Sequence, residues 1–267
     1  MRARVDALLR LVEARGAPKL PLISGIAPAK TNVIAYSGGV DSTLAAKIVH
    51  QVFPETTVAC LGISPSLSKQ QLQQARDVAE HIRVPLWTCA TTESQNEHYV
   101  ANQGQSCYYC KTNLYTTINE VAEFAMGKLA DTKFKPVLYN GTNADDKLDP
   151  TRLGLVAASQ FEVVSPLSGL TKNEVREIAK YLGLPNWNYA ASPCLRSRLA
   201  FGVEAVEGHL KRVEEAEDFV RRAANLEPHH NMRVRFLTGN RAAVELESSV
   251  LENAKLQVEA IDSELRH

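Results

Sequence analysis

The chain has no surplus of charge of either sign: 30 Lys and Arg stand against 30 Asp and Glu in 267 residues. Proteins that grip long polyphosphates carry a basic excess, so a nucleic-acid partner is not expected. No apolar run approaches the length that spans a bilayer, so no membrane partner is expected either. The N-terminal stretch MRARVDALLRLVEARG places Val5, Leu8, Leu9 and Val12 at helical spacing, but Asp6 and Glu13 interrupt it. That pattern lacks the apolar centre of a secretory signal and is too acidic for a transit peptide, and the expected location is cytoplasmic. Repeats and low-complexity tracts are missing. Cysteine is scarce, five in all, which in a reducing compartment excludes a disulfide scaffold and leaves metal or redox chemistry for paired thiols.

What is present is an alternation. Short apolar runs, NVIAY (32–36), TTVACLG (56–62), PLWTCA (85–90), PVLYNG (136–141) and FEVVSP (161–166), are separated by segments of helical period. The helical segments include TLAAKIVHQVF, residues 67–83 and residues 111–130. This pattern predicts an α/β fold with a doubly wound parallel sheet, whose ligands lie beyond the carboxyl ends of the strands. The stretches 37–42, 62–66, 90–110, 141–152 and 165–170 fall there. Thr171 and Glu174 form a capping box for a helix with Val175, Ile178, Ala179 and Leu182 on one face, stopped by Gly183 and Pro185. An irregular stretch then leads to a smaller C-terminal α/β unit: a charged helix, hairpin strands NMRVRFLT and NRAAVELE, and a helical segment over 248–266. The expected division is an N-terminal helix and Pro/Gly-rich linker (1–30), a nucleotide domain (31–190) and a C-terminal domain (191–267).

Between the first strand and its helix stands Ser37-Gly38-Gly39-Val40-Asp41-Ser42. Two glycines let backbone approach an anion, two serines supply hydroxyls, and the helix start supplies unpaired N–H groups and a positive dipole end. The loop has no Gly-Lys-Ser/Thr of the Walker type, so it provides no phosphate lysine of its own. The whole string after an apolar strand resembles the PP-loop of ATP pyrophosphatases, which cleave ATP between the α- and β-phosphates to adenylate an oxygen. That resemblance implies that Ser37, Gly38, Gly39, Asp41 and Ser42 hold the pyrophosphate moiety of ATP, with Mg²⁺ compensating its charge.

Relatives that use ammonia as nucleophile need no cysteine, whereas this chain carries Cys107 and Cys110 in CYYC and Cys194 in AASPCLRSR. A CxxC pair alone serves as a dithiol switch, half a zinc site or part of an iron–sulfur ligand set. A structural zinc site wants four protein ligands, and His98 is a weak fourth; a dithiol switch would not need Cys194. Three thiolates on a [4Fe–4S] cluster leave one iron open for hydrosulfide, which makes CYYC two-thirds of a cluster cradle. Cys60 and Cys89, at apolar strand ends, are expected in the core.

The segments KNEVREIAKYLGLPNWNYAASPCLRSR, CYYCKTNLY, NGTNADD, FG-x-E and MRVRF together resemble the LarE family of ATP-dependent sulfur transferases, in its three-cysteine branch. The resemblance spans most of residues 30–247. It implies adenylation of the carboxylates of pyridinium-3,5-biscarboxylic acid mononucleotide and replacement of oxygen by sulfur, on the way to the nickel-pincer nucleotide. Sulfide or another sulfur donor would be a partner, and the assembly would be a homo-oligomer, trimer or hexamer. By position it implies roles for Gly141, for Asp145 and Asp146 toward Mg²⁺ or ATP, and for Arg233 and Arg235 toward the substrate phosphate. It also implies an active-site acid at Glu204, a catalytic Cys194, and Arg196 and Arg198 beside that thiolate. The stretch DPTRLG departs from the family's D-Y-R-P-G, which leaves Asp149 and Arg152 without an assigned role. Two rival readings are a tRNA-thiolating PP-loop enzyme, disfavoured by zero net charge, and a non-catalytic nucleotide-binding sulfur carrier, disfavoured by the intact loop.

Overall fold

The computed structural model describes residues 1–17, 29–126, 135–148 and 153–266. Most of the linker expected over 16–31, and both Asp149 and Arg152, lie outside the described residues. The elements run in chain order α1 (Arg2–Arg15), β1 (Asn32–Tyr36), α2 (Val40–Val52), β2 (Thr57–Ile63), α3 (Lys69–His81), β3 (Leu86–Ala90), α4 (Glu97–Val100), α5 (Ser106–Met126) and β4 (Val137–Tyr139). They continue as α6 (Ala144–Lys147), α7 (Leu153–Ser159), α8 (Lys172–Tyr181), α9 (Glu207–Ala223), β5 (Met232–Leu237), β6 (Arg241–Leu246), α10 (Leu251–Lys255) and α11 (Val258–Leu265). The described chain divides into two compact units. The first holds residues 1–63, 72–91 and 107–188, and the second holds 64–71, 92–106 and 189–267.

The first unit is built on a parallel four-stranded sheet in the order β3-β2-β1-β4. Helices joining successive strands force a parallel sheet to bury both faces, which is why its strands read as nearly continuous apolar runs. Val33, Val58, Cys60 and Leu138 pack with Ile118 and Ala122 of α5. Ile34 and Ala59, one residue along, point to the opposite face and are fully buried as well. From β1 the chain moves one way to β2 and β3, then returns to place β4 on the other side of β1. The order therefore reverses between β1 and β4, and the loops leaving those strands face each other across the crevice where such sheets bind ligands.

Two sequence expectations shift here. The strand expected over 161–166 reduces to a single bridge, Val164 beside Tyr139, with the Val164 amide donating to Leu138 O at 2.8 Å. Glu162 sits at φ 51°, in the left-handed region, and that breaks the extended run. The helix expected from residue 111 begins at Ser106, so CYYC forms its first turns rather than preceding it.

In the second unit β5 and β6 form an antiparallel hairpin, paired from Met232↔Leu246 to Leu237↔Arg241. Val220 of α9, Met232 and Val234 of β5 and Ile261 of α11 make its core. Beside that core lies an ion pair between Arg198 and Glu217, with side chains 3% and 12% exposed. The contact is a two-pronged fork: Nε to Oε1 at 2.8 Å and Nη2 to Oε2 at 3.2 Å. Glu217 Oε1 also accepts from the Val234 amide at 3.1 Å, so one carboxylate ties α9 to β5 and to the turn at 195–198. Arg198→Met should leave that carboxylate buried without its cation and cost about 3–5 kcal/mol of stability, measured by urea unfolding. The double change with Glu217→Leu should recover most of it. A single-variant loss below roughly 1 kcal/mol would mean that the pair does not organise the unit.

Candidate active site

The loop after β1 is held open by its own hydroxyls. Ser42 Oγ donates to Gly39 O at 3.0 Å and accepts from the Ser37 amide at 3.2 Å, with Ser37 Oγ 3.1 Å away. Because the Ser42 proton is committed to Gly39, the Ser37 hydroxyl is the donor in that last contact. Gly38 takes φ 75°, and a Cβ there would come within 2.7 Å of Ala75 Cα, so both conformation and space demand glycine. Tyr36 ends β1 and donates its hydroxyl to Ala75 O at 3.1 Å. Burial pushes that phenol up to about 12, so it stays protonated and keeps donating at neutral pH. Gly39 is the N-cap of α2, and Asp41 lies in the helix's first turn, where a carboxylate complements the dipole.

The loop after β4 presses directly on this turn. A Cβ at Gly141 would lie 2.5 Å from Ser42 N and 2.6 Å from Asp41 C. Asn143, two residues on, donates from Nδ2 to Asp41 Oδ1 at 3.3 Å. Asn143 also caps α6 in a reciprocal box with Asp146, whose Oδ2 accepts from the Asn143 amide at 3.1 Å. Asp145 Oδ2 accepts from the Lys172 amide at 2.9 Å, and the Lys172 ammonium pairs with Asp41 Oδ2. Asp41, Asp145, Asp146 and Gly141, expected at one site from sequence, are thus brought together within the first unit.

Lys172 is the residue that sequence reasoning missed. The Ser-Gly-Gly loop lacks a lysine, and α8 delivers one from its first position, 131 residues later. In the sequence it is the second residue of a capping box and opens the KNEVREIAK segment, where a lysine looks like ordinary helix surface. Asn186 was missed as well: fully buried, it donates from Nδ2 to Gly38 O at 2.7 Å and to Thr43 Oγ1 at 3.0 Å.

The remaining expected residues lie in the second unit, apart from Cys107 and Cys110. The Cys194 turn is pinned by backbone contacts: Gln71 Nε2 donates to Ser192 O at 2.6 Å, and the Leu195 amide donates to Ser66 O at 2.8 Å. Arg198, expected beside the Cys194 thiolate, instead donates through Nη1 to Pro193 O and, at 3.2 Å, to Cys194 O. Its side chain is buried with Glu217, so it shapes the turn and does not face an anionic substrate. Arg196 donates from Nη1 to Asn102 Oδ1 at 3.1 Å. Arg233 and Arg235 share one face of β5, as their spacing predicted. Arg235 donates to Ser197 O at 2.7 Å and pairs with Glu245 at 3.0 Å. The hydrogen bond from Arg235, aided by the charges of Arg235, Arg233 and Arg198, holds the Glu245 carboxyl below its ordinary range. Glu204 is exposed ahead of α9, with its backbone carbonyl against His209 Nδ1 at 2.8 Å.

The five cysteines separate into two kinds. Cys60 and Cys89 are buried on adjacent strands with sulfurs 3.4 Å apart, as core residues. Cys107 is exposed, Cys110 and Cys194 are half-buried, and none of the five forms a disulfide. Cys107 and Cys110 stand one helical turn apart, on one side of α5. Among the described residues no three His, Cys, Asp or Glu side chains are gathered closely enough to hold a metal ion. No described helix is long and apolar enough to cross a membrane.

A parallel sheet with a Ser-Gly-Gly loop at its switch point, backed by a lysine, defines a nucleotide-binding α/β protein of the PP-loop class. The NAD synthase family model matches residues 25–199. An uncharacterized protein of Synechocystis sp. is 40% identical over 192 residues, 71% of this chain and 68% of that one. The pyridinium-3,5-bisthiocarboxylic acid mononucleotide synthase of Lactiplantibacillus plantarum is 29% identical over 206 residues, 76% of this chain and 71% of the synthase. The glutamine-hydrolysing GMP synthase of Helicobacter pylori is 26% identical over 209 residues, 73% of this chain and 41% of that synthase. The chain belongs to the NAD synthase family of PP-loop proteins, and its resemblance to the LarE family is borne out by the Lactiplantibacillus synthase.

The contact at Gly141 yields a direct test. Gly141→Ala must push the β4 loop off the α2 N-terminus, at a cost of about 1–3 kcal/mol. ATP affinity should fall with it, read by calorimetric titration. A variant that is stable and binds ATP normally would show that the two loops do not need their close approach.

Proposed function

We propose that the chain is an ATP-dependent sulfurtransferase acting on pyridinium-3,5-biscarboxylic acid mononucleotide, in nickel-pincer nucleotide biosynthesis. A substrate carboxylate oxygen attacks the α-phosphorus of ATP and pyrophosphate leaves, giving an acyl adenylate. Hydrosulfide then attacks the acyl carbon, AMP departs with the original oxygen, and a thiocarboxylate and a proton remain. The likeness to the Lactiplantibacillus synthase supports this substrate class.

In this reading Ser37, Gly38, Gly39, Asp41 and Ser42 cradle the pyrophosphate moiety, with Gly141 keeping the second loop close enough to complete the cradle. Lys172 supplies positive charge to the departing pyrophosphate, which lowers the barrier where negative charge accumulates. Mg²⁺ would be held by substrate phosphates plus one or two of the carboxylates Asp41, Asp145 and Asp146. Arg233 and Arg235 bind the phosphate of the mononucleotide, and Glu204 acts near the acyl centre.

The observation that carries the sulfur half is the segregation of the cysteines: two are locked in the sheet core, and three lie outside it. Cys107, Cys110 and Cys194 have the donor chemistry of a [4Fe–4S] ligand set and are proposed to hold one cluster. When bound, a cluster with three protein thiolates offers one iron to hydrosulfide.

Two experiments test the halves separately. Asp41→Asn and Ser37→Ala should abolish substrate-dependent pyrophosphate release while the protein stays folded, since both are loop-proximal positions. Unchanged release by both variants would sink the adenylation reading. For the sulfur half, anaerobically reconstituted protein should absorb broadly near 400 nm with about four iron per chain. Cys107→Ala, Cys110→Ala and Cys194→Ala should each lose the band and turnover. Dependence on Cys194 alone, with dehydroalanine found there by mass spectrometry, would replace the cluster with a sacrificial thiol.

A further inference from the structure

Asn186 lies in the KNEVREIAKYLGLPNWNYAASPCLRSR segment but has no role in the proposed function, yet it is fully buried and makes both of its donated hydrogen bonds to the nucleotide loop and its helix. It follows the left-handed Gly183 (φ 70°) and Pro185, which end α8 and turn the chain back toward α2. Its Nδ2 reaches Gly38 O at 2.7 Å and Thr43 Oγ1 at 3.0 Å, so it links the tip of the loop to the helix that follows. Within the loop Gly38 is buried, while Ser37 and Gly39 are exposed.

The peptide between Gly38 and Gly39 is planar and trans, so its carbonyl and its N–H point in opposite directions. A glycine pair has little intrinsic preference between this orientation and its flipped form, because neither residue carries a Cβ to oppose rotation. Fixing the carbonyl toward the buried Asn186 turns the Gly39 N–H outward, to the exposed side where the α2 N-terminus is open. Flipped, the same peptide would present a carbonyl oxygen to an incoming anion and repel it.

We infer that Asn186 is a positioning residue for pyrophosphate. By hydrogen-bonding Gly38 O it holds the Gly38–Gly39 peptide with its N–H aimed at the anion. The inference rests on the reading of this loop as the pyrophosphate cradle. Asn186 itself touches no substrate; it determines whether the cradle contains one more donor or one acceptor too many.

The test uses the full chain and Mg–pyrophosphate as probe, with AMP as a second ligand. Asn186→Asp keeps the shape and replaces the donor by an acceptor, and Asn186→Ala removes the side chain without burying a charge. Both should weaken Mg–pyrophosphate binding by about tenfold or more, the worth of a charge-assisted backbone donor, with AMP affinity within about twofold of wild type. General damage would move both ligands together, and that outcome overturns the inference, as does unchanged pyrophosphate affinity. A measurement on the unaltered protein guards against variants that do not fold. With ¹⁵N-glycine labelling, the Gly39 amide should shift on saturation with Mg–pyrophosphate, and an unmoved Gly39 resonance would refute its role as a donor. Wild-type protein that binds no pyrophosphate at all would instead bring down the cradle reading itself, so the two failures are distinguishable.

Discussion

The first unit depends on backbone meeting backbone where the loop after β4 lies against the start of α2. Gly141 has no side chain, and any Cβ would intrude within 2.9 Å of Asp41 O and still closer to Ser42 N. From that contact the rest of the site follows in order. Asn143 comes within reach of Asp41, and the short helix it caps sets Asp145 against the first amide of α8. With that amide fixed, the Lys172 side chain extends back to Asp41. A loop that carries no lysine gains one through three successive hydrogen-bonded joints that lead from Asp41 to α8.

The second unit uses the same elements of chemistry for a different purpose. Arg198 and Arg235 are both arginines paired with glutamates, but burial sorts them. Arg198 is shut in with Glu217 and spends its remaining donors on the carbonyls around Cys194. That makes it part of the turn's framework, and a charge so enclosed is costly to leave unpaired. Arg235 is partly open to solvent and paired with the half-exposed Glu245. An exchange of partners there costs little, because an exposed pair contributes little to stability. On the proposed reading, the arginine that would exchange its carboxylate for a phosphate is therefore Arg235, on the strand face.

Sequence reading reached what was local and missed what was assembled. The β1 strand, the loop and the first turn of α2 are contiguous, so SGGVDS declared its anion geometry without help from elsewhere. Cys60 and Cys89 were placed in the core by their apolar neighbours alone. Lys172 and Asn186 act 131 and 148 residues away from their partners in the loop, and no periodicity encodes that. Lys172 was also masked by a local motif that explained it adequately. The strand over 161–166 had the right composition but a left-handed Glu162, a choice imposed by the return of the chain to β4 and not by residue type. The two segments 64–71 and 92–106 that join the second unit show no shift in composition, since each simply extends a loop at the carboxyl end of a strand.

The pairing of Lys172 with Asp41 also constrains how a polyphosphate can enter. The Lys172 ammonium pairs with Asp41, while Asp145 accepts from the Lys172 amide and Asp146 from the Asn143 amide. A carboxylate at the start of α2 repels an anion, so pairing Asp41 with Lys172 removes a charge that opposes the loop's N–H groups and helix dipole. In the proposed function a divalent cation carried in with the phosphates would compete with Lys172 for Asp41. It would give Asp41 a second partner, which would free Lys172 for the phosphate oxygens. On that reading the Lys172–Asp41 pair is a resting arrangement of two charges whose eventual partners, cation and anion, would arrive together as one ligand.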